Sequence, residues 1–313
     1  MNLLLFIIFL HRILGAERVW QWSNSLATPS HWSQGRIPCT GQDVELPSEI
    51  MFMSETAEYG KISIEEGGEL IFPSTASLTL LNKPPPTMHG KVKEECSMRL
   101  ESAVYISRPP GSWMDPSNWN SKYPTPIPHT QQVPCKHDTA VFPPNMTYKV
   151  SLHEQDVRIG GLIISNIQMS GVDWRATKDS RVGRKMFNFT KTLTVSGTYC
   201  NDPTGCMCGN EDLEYKICEN ARGKCENANC SSPLKPAGHC CWNVCGAVVN
   251  IERKKNKIYM NHLQNMARMH VGDHSQHHVS RVNENLYQII LVPNPDYNLT
   301  KTVLAARKLG DCC

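Results

Sequence analysis

The chain has 313 residues and a formal net charge of only +3, and no run of basic residues is longer than Arg253-Lys254-Lys255, so neither length nor charge supports a nucleic-acid binder. The length fits two or three domains. Fourteen cysteines, nine of them between Cys200 and Cys245, are foreign to a reducing cytosol and point to the secretory pathway or to a metal site.

In chain order, Met1 to Leu10 is almost wholly apolar and is followed by His11-Arg12 and the small residues Gly15-Ala16. This reads as a signal peptide over 1–16. It is too short for the ~20 apolar residues of a membrane span, and small residues are where signal peptidase cuts. Four Asn-x-Ser/Thr sequons agree with that route. Asn145, Asn188 and Asn298 are the glycosylation candidates; Asn229 is set aside because its middle residue, Cys230, is a disulfide candidate.

A duplicated cassette follows the leader. The first copy carries Trp20, Pro29-Ser30-His31-Trp32, Pro38-Cys39, Asp43 and Pro47; the second carries Trp113, Pro116-Ser117-Asn118-Trp119, Pro134-Cys135, Asp138 and Pro143. The run from Pro-Cys to the closing Pro has one length in both, as expected of repeated units with variable surface loops. Two readings of Trp20, Trp32, Trp113 and Trp119 stay open: burial at the ends of β units, which is favoured, or a contact surface for carbohydrate or protein.

Apolar pairs alternate at Val44/Leu46, Ile62/Ile64, Leu70/Phe72 and Leu78/Leu80, and again at Val150/Leu152, Val157/Ile159, Leu162/Ile164 and Leu193/Val195. Alternation buries one face of a strand. Short strands at regular spacing predict a sandwich, barrel or β-solenoid. Lys83-Pro84-Pro85-Pro86 and Pro124 to Pro128 mark extended segments excluded from central strands. Units over 17–105 and 106–199 result.

Residues 200–246 hold too little apolar material for a core of their own and require disulfide staples. Zinc on paired cysteines with His239 is the competing and less favoured account, since a secretory leader favours oxidation. The disulfide candidates are Cys39, Cys96, Cys135, Cys200, Cys206, Cys208, Cys218, Cys225, Cys230, Cys240, Cys241 and Cys245. If the eight from Cys206 to Cys245 pair among themselves, repeat symmetry joins Cys39 to Cys96 and Cys135 to Cys200, with Cys312 and Cys313 left over. Over 247–313, helical spacing at Met260 to His270 and a strand at Tyr287 to Val292 predict a small α+β unit. His270, His274, His277 and His278 read as a polar loop rather than a metal or pH-sensing cluster. No Gly-x-Ser-x-Gly, His-Glu-x-x-His or phosphate-binding glycine loop occurs. Glu65, Glu66 and Asp156 are the carboxylates a glycosidase reading would draw on, but a non-enzymatic scaffold without cofactor or metal is favoured.

Taken together, the doubled cassette, Cys206-x-Cys208-Gly209-Asn210 and Gly238-His239-Cys240-Cys241-x-x-x-Cys245-Gly246 resemble the extracellular region of the amnionless family, from about Trp20 to the C-terminus. The Cys-Cys motif by itself indicates only a von Willebrand factor type C-like module. The resemblance implies a mainly β chain: two tandem β-helical, solenoid-like modules, a type C-like module and the α+β unit. It also implies a non-enzymatic subunit of an endocytic receptor, which binds the N-terminal region of cubilin, carries it to the apical plasma membrane and supports uptake of protein ligands into endocytic vesicles. Family members continue into a transmembrane helix and a tail with endocytic signals, whereas this chain stops at Cys313 and is expected to be secreted or cut before its anchor. Asn294-Pro295-Asp296-Tyr297 reads as a turn. Ile62 to Phe72 and Val157 to Ile164 are the strands to inspect for a partner surface. The alternative is a secreted regulator that binds a growth factor of the bone morphogenetic protein type through the type C-like module.

Overall fold

The computed structural model describes residues 16–22, 24–53, 56–81, 96, 101–121, 126–253 and 256–312. The leader up to Gly15, the triple proline at 84–86, Pro124 and Cys313 lie outside them. The chain is mainly β, with several small sheets, few helices and a disulfide-rich segment.

Strand β1 (Glu17–Trp20) is followed by three short strands, β2 (Val44–Leu46), β3 (Ile50–Phe52) and β4 (Ala57–Tyr59). The next three, β5 (Ile62–Ile64), β6 (Glu69–Ile71) and β7 (Leu78–Leu80), lie parallel on them one for one: Val44 faces Ile62, Ile50 faces Glu69 and Ala57 faces Leu78. Strand β8 (Ala103–Val104) lies parallel on the other side of β2. Alternation buries Val44, Leu46, Met51, Met53 and Tyr59 around Trp32 and Tyr105, with Ile62, Leu70 and Leu78 packed against them.

The order recurs further on. Strands β9 (Gly111–Ser112) and β10 (Trp119–Ser121) and the short helix α1 (His129–Gln132) precede β11 (Thr139–Phe142), β12 (Val150–Leu152) and β13 (Val157–Ile159). Strand β14 (Gly161–Ile164) pairs parallel with β11; β15 (Ile167–Met169) folds back on β14. Helices α2 (Gly171–Asp179) and α3 (Arg181–Met186) intervene before β16 (Phe187–Phe189) and β17 (Leu193–Val195), which pair parallel with β12 and β13. Helix α2 starts in a capping box in which Ser170 and Asp173 satisfy each other's backbone N–H groups. Glycine occupies the equivalent corner in both units. The N–H of Gly60 bonds the Gln42 carbonyl and that of Gly160 the Asp138 carbonyl, each at 2.9 Å. A Cβ would sit 2.6 Å from the Gly41 oxygen in one and 2.6 Å from the His137 oxygen in the other, so no larger side chain fits without moving backbone.

Strand β1 breaks the expected modularity. Instead of joining the unit that follows it, it lies between β10 and β11, with Trp20 opposite Trp119 and Glu17 beside Thr139. Trp20, Trp113 and Trp119 therefore share one core with Phe142, Trp174 and Phe187, while Trp32 sits in the first unit's core. All four cassette tryptophans are buried, which selects the core reading over the contact surface.

The cysteine-rich segment contains helix α4 (Glu214–Ala221), whose Ile217 inserts, with Leu213, into the Trp113 core. Beyond it, β18 (Ala247–Glu252), β19 (Ser275–Arg281) and β20 (Leu286–Pro293) form an antiparallel sheet with β20 central, packed on α5 (Met260–Val271) and α6 (Leu299–Cys312). The histidine-rich stretch is thus not a loop: His270 lies on α5, His274 in the 3-10 turn that follows, and His277 and His278 on β19, whose ladder to β20 outweighs its polar composition. No helix among the described residues is long and apolar enough to cross a membrane.

Candidate partner-binding surface

In the first unit β5, β6 and β7 each pair on one side only, so their other edges are open among the described residues. Ile64, Ile71, Phe72 and Leu80 on and beside these strands are exposed, Leu80 at 58%. Free strand edges flanked by exposed apolar side chains are a template for association. The matching stretch of the second unit differs. Val157, Ile159, Leu162 and Ile164 are buried, because β15 covers the edge of β14 and α2 drops Trp174 into the core, where its indole N–H reaches the Leu193 carbonyl at 2.9 Å. Of the two strand regions singled out from sequence, only Ile62 to Phe72 presents an apolar surface.

The two units are clasped through Glu49, which accepts from Asn24 Nδ2 at 2.9 Å and from Lys149 Nζ at 3.0 Å. Glu69 takes Arg181 Nη2 at 3.0 Å and Lys185 Nζ at 3.5 Å. Both carboxylates come from the first unit and all three cations from the second. None of these residues stood out in the sequence, since a lone surface Glu carries no pattern.

Six disulfides join the described cysteines: Cys39 to Cys96, Cys135 to Cys208, Cys200 to Cys206, Cys218 to Cys240, Cys225 to Cys241 and Cys230 to Cys245. The expected pairing of Cys135 with Cys200, and the closed set of eight from Cys206 to Cys245, are corrected. Cys208 reaches Cys135 because the segment runs along α1: Lys136 N–H bonds the Cys208 carbonyl at 2.9 Å, and Asn210 Nδ2 reaches the carbonyls of Thr130, Val133 and Pro134. Cys200 is left to close a short loop with Cys206. Cys312 is exposed and in no disulfide among the described residues.

No group of three or more His, Cys, Asp or Glu side chains able to hold a metal occurs among the described residues. His239 is buried edge-on to His129, ring centroids 5.2 Å apart, with both ring nitrogens unpartnered. Burial and the neighbouring His129 push its pKa down to about 3, and burial, with Arg18 and other histidines adding to it, brings His278 to about 3. His278 bonds the Gln131 amide at 2.7 Å and so braces the junction of β19 with α1. Of the carboxylates considered for catalysis, Asp156 accepts the Thr192 N–H at 2.7 Å and Glu65 the Ser48 N–H at 3.1 Å, both as turn partners. Asn145, Asn188 and Asn298 are exposed, Asn145 in a turn with φ of 60°.

A profile of the amnionless family matches residues 17–306. The chain belongs to the amnionless family. It is 30% identical to protein amnionless of Homo sapiens over 246 residues, 74% of this chain and 52% of that protein. It is 27% identical to protein amnionless of Canis lupus familiaris over 249 residues, 75% of this chain and 52% of that protein. Identity to protein amnionless of Drosophila melanogaster is 26% over 227 residues, 71% of this chain and 43% of that protein. The chain spans about half the length of the curated relatives it matches.

Proposed function

We propose that this chain is a non-enzymatic subunit of an endocytic receptor. Its partner is a cubilin-like protein, which it accompanies through the secretory pathway to the apical plasma membrane for uptake of protein ligands. Family membership supports the class of protein, and the edges of β5, β6 and β7, open among the described residues and flanked by exposed apolar side chains, are the observation that supports a docking role. The one-for-one parallel stacking of three strands on three, in both units, supports reading each unit as a short β-helix. A β-helix exposes backbone N–H and C=O groups on its last turn, and these can pair with a further strand.

The test is co-secretion. Expressed with the N-terminal region of a cubilin-like protein, the chain is expected to raise that region's export to the medium and to co-purify with it. Export unchanged by the chain would contradict the reading, and recovery of a cystine-knot growth factor from the same medium would favour the alternative.

A further inference from the structure

Ala16 sits one residue ahead of β1 and is exposed, yet β11 engages both of its backbone groups. Its carbonyl accepts the Thr139 N–H at 3.0 Å, and its own N–H is directed at the Asp138 carboxylate. Asp138 is only 7% exposed and accepts the Cys135 N–H at 3.0 Å. Its ion pair with Arg18 is loose: Arg18 Nε lies 3.5 Å away and donates at 2.7 Å to the Gln131 carbonyl. A buried carboxylate is thus held by the distant Arg18 cation and by backbone donors, one of which belongs to the residue at the end of the leader.

The small residues Gly15-Ala16 would permit scission on either side of Ala16. Cleavage after Ala16 removes both of its bonds, leaving the Thr139 N–H without its acceptor and Asp138 with only the Cys135 N–H and the loose Arg18 contact. Each orphaned buried group costs a folded chain about 1–3 kcal/mol. Cleavage after Gly15 keeps both bonds and turns the amide donor into a cation.

We propose that signal peptidase cuts between Gly15 and Ala16, and that the new α-ammonium of Ala16 pairs with the carboxylate of Asp138 and locks β1 into the sheet between β10 and β11. Water supplies the atoms: the Gly15–Ala16 C–N bond breaks, Gly15 leaves with a carboxylate, and the Ala16 nitrogen becomes an ammonium. The amide N–H brings only a partial charge to the shielded carboxylate, whereas the ammonium brings a full one. Processing and the final placement of Trp20 are then coupled.

N-terminal sequencing of the chain secreted under its own leader is expected to read Ala-Glu-Arg-Val-Trp. Labelling of the α-amine at pH 7 should be at least about tenfold slower in the folded chain than in urea, the effect of a pKa raised by one unit. Asp138→Asn, checked for folding by circular dichroism, should restore fast labelling; if that variant does not fold, the wild-type comparison stands alone. A chain beginning at Glu17, a retained leader, or an Ala16 amine labelled equally fast folded and unfolded would each overturn the proposal.

Discussion

The indole N–H of Trp119 donates to the main-chain carbonyl of Trp113 at 2.8 Å. Between them Pro116 opens a 3-10 turn that Asp115 caps through the Ser117 N–H. Trp32 makes the same bond, at 2.9 Å, to Leu26 across the turn begun by Pro29. The structural counterpart of Trp113 is therefore Leu26 and not Trp20, and Trp20 is a strand residue lent to the second unit. Trp119→Ala is expected to cost about 3–5 kcal/mol through the cavity it leaves. Trp119→Phe should cost about 1–3 kcal/mol, mostly for the unpaired Trp113 carbonyl. Urea midpoints of the two variants check the order.

Peptide mapping without reduction should recover Cys135 linked to Cys208 and Cys200 linked to Cys206. The first bridge ties the second unit to the cysteine-rich segment across 73 residues of chain. Removing it with the double variant Cys135→Ser/Cys208→Ser should cost about 2–5 kcal/mol and reduce secretion. Removing Cys200 and Cys206, which close a loop of only 6 residues, should cost less.

Glu49→Ala deletes the acceptor of both Asn24 and Lys149. The expected loss is about 1–2 kcal/mol, given the partial exposure of Lys149. Protease cleavage between the two units should accelerate, while the strands within each keep their protection from hydrogen exchange.

The fold should weaken in mild acid. His239 is neutral when folded, with a pKa near 3, whereas the unfolded chain takes up a proton at about 6.5. The contribution is intact above about pH 6.5 and is lost as pH falls towards 3, at up to about 1.4 kcal/mol per pH unit. His278 adds in the same direction. Melting temperatures measured from pH 7.5 to pH 5 should fall, and His239→Phe should flatten the slope.

Much of this architecture was legible in alternation. Val44/Leu46 and Val150/Leu152 fall on strands with one buried face, as a period of two requires; Ile62/Ile64 and Leu78/Leu80 also fall on strands, although Ile64 and Leu80 are exposed. Strands β1, β4 and β16 were not read from the sequence: Glu17–Trp20, Ala57–Tyr59 and Phe187–Phe189 are defined by partners far along the chain. The cassette aligned Asp43 with Asp138, but the side chain that accepts the cysteine N–H in the first unit is Gln42, at 2.9 Å, as Asp138 does in the second. Both acceptors lie three residues after the cysteine, so the repeat in register matches Asp138 with Gln42 and not with Asp43. The candidate surface was half legible, because apolar strands look alike in sequence whether or not something like β15 and Trp174 covers them.

The most direct test measures binding of the folded, secreted chain to the N-terminal region of a cubilin-like protein, alongside the Leu80→Asp variant. Saturable binding, roughly micromolar or tighter and weakened at least about tenfold by the variant, is the predicted result. A correctly disulfide-bonded chain that does not bind, or that binds equally well with Leu80→Asp, would contradict the docking role assigned to β5, β6 and β7.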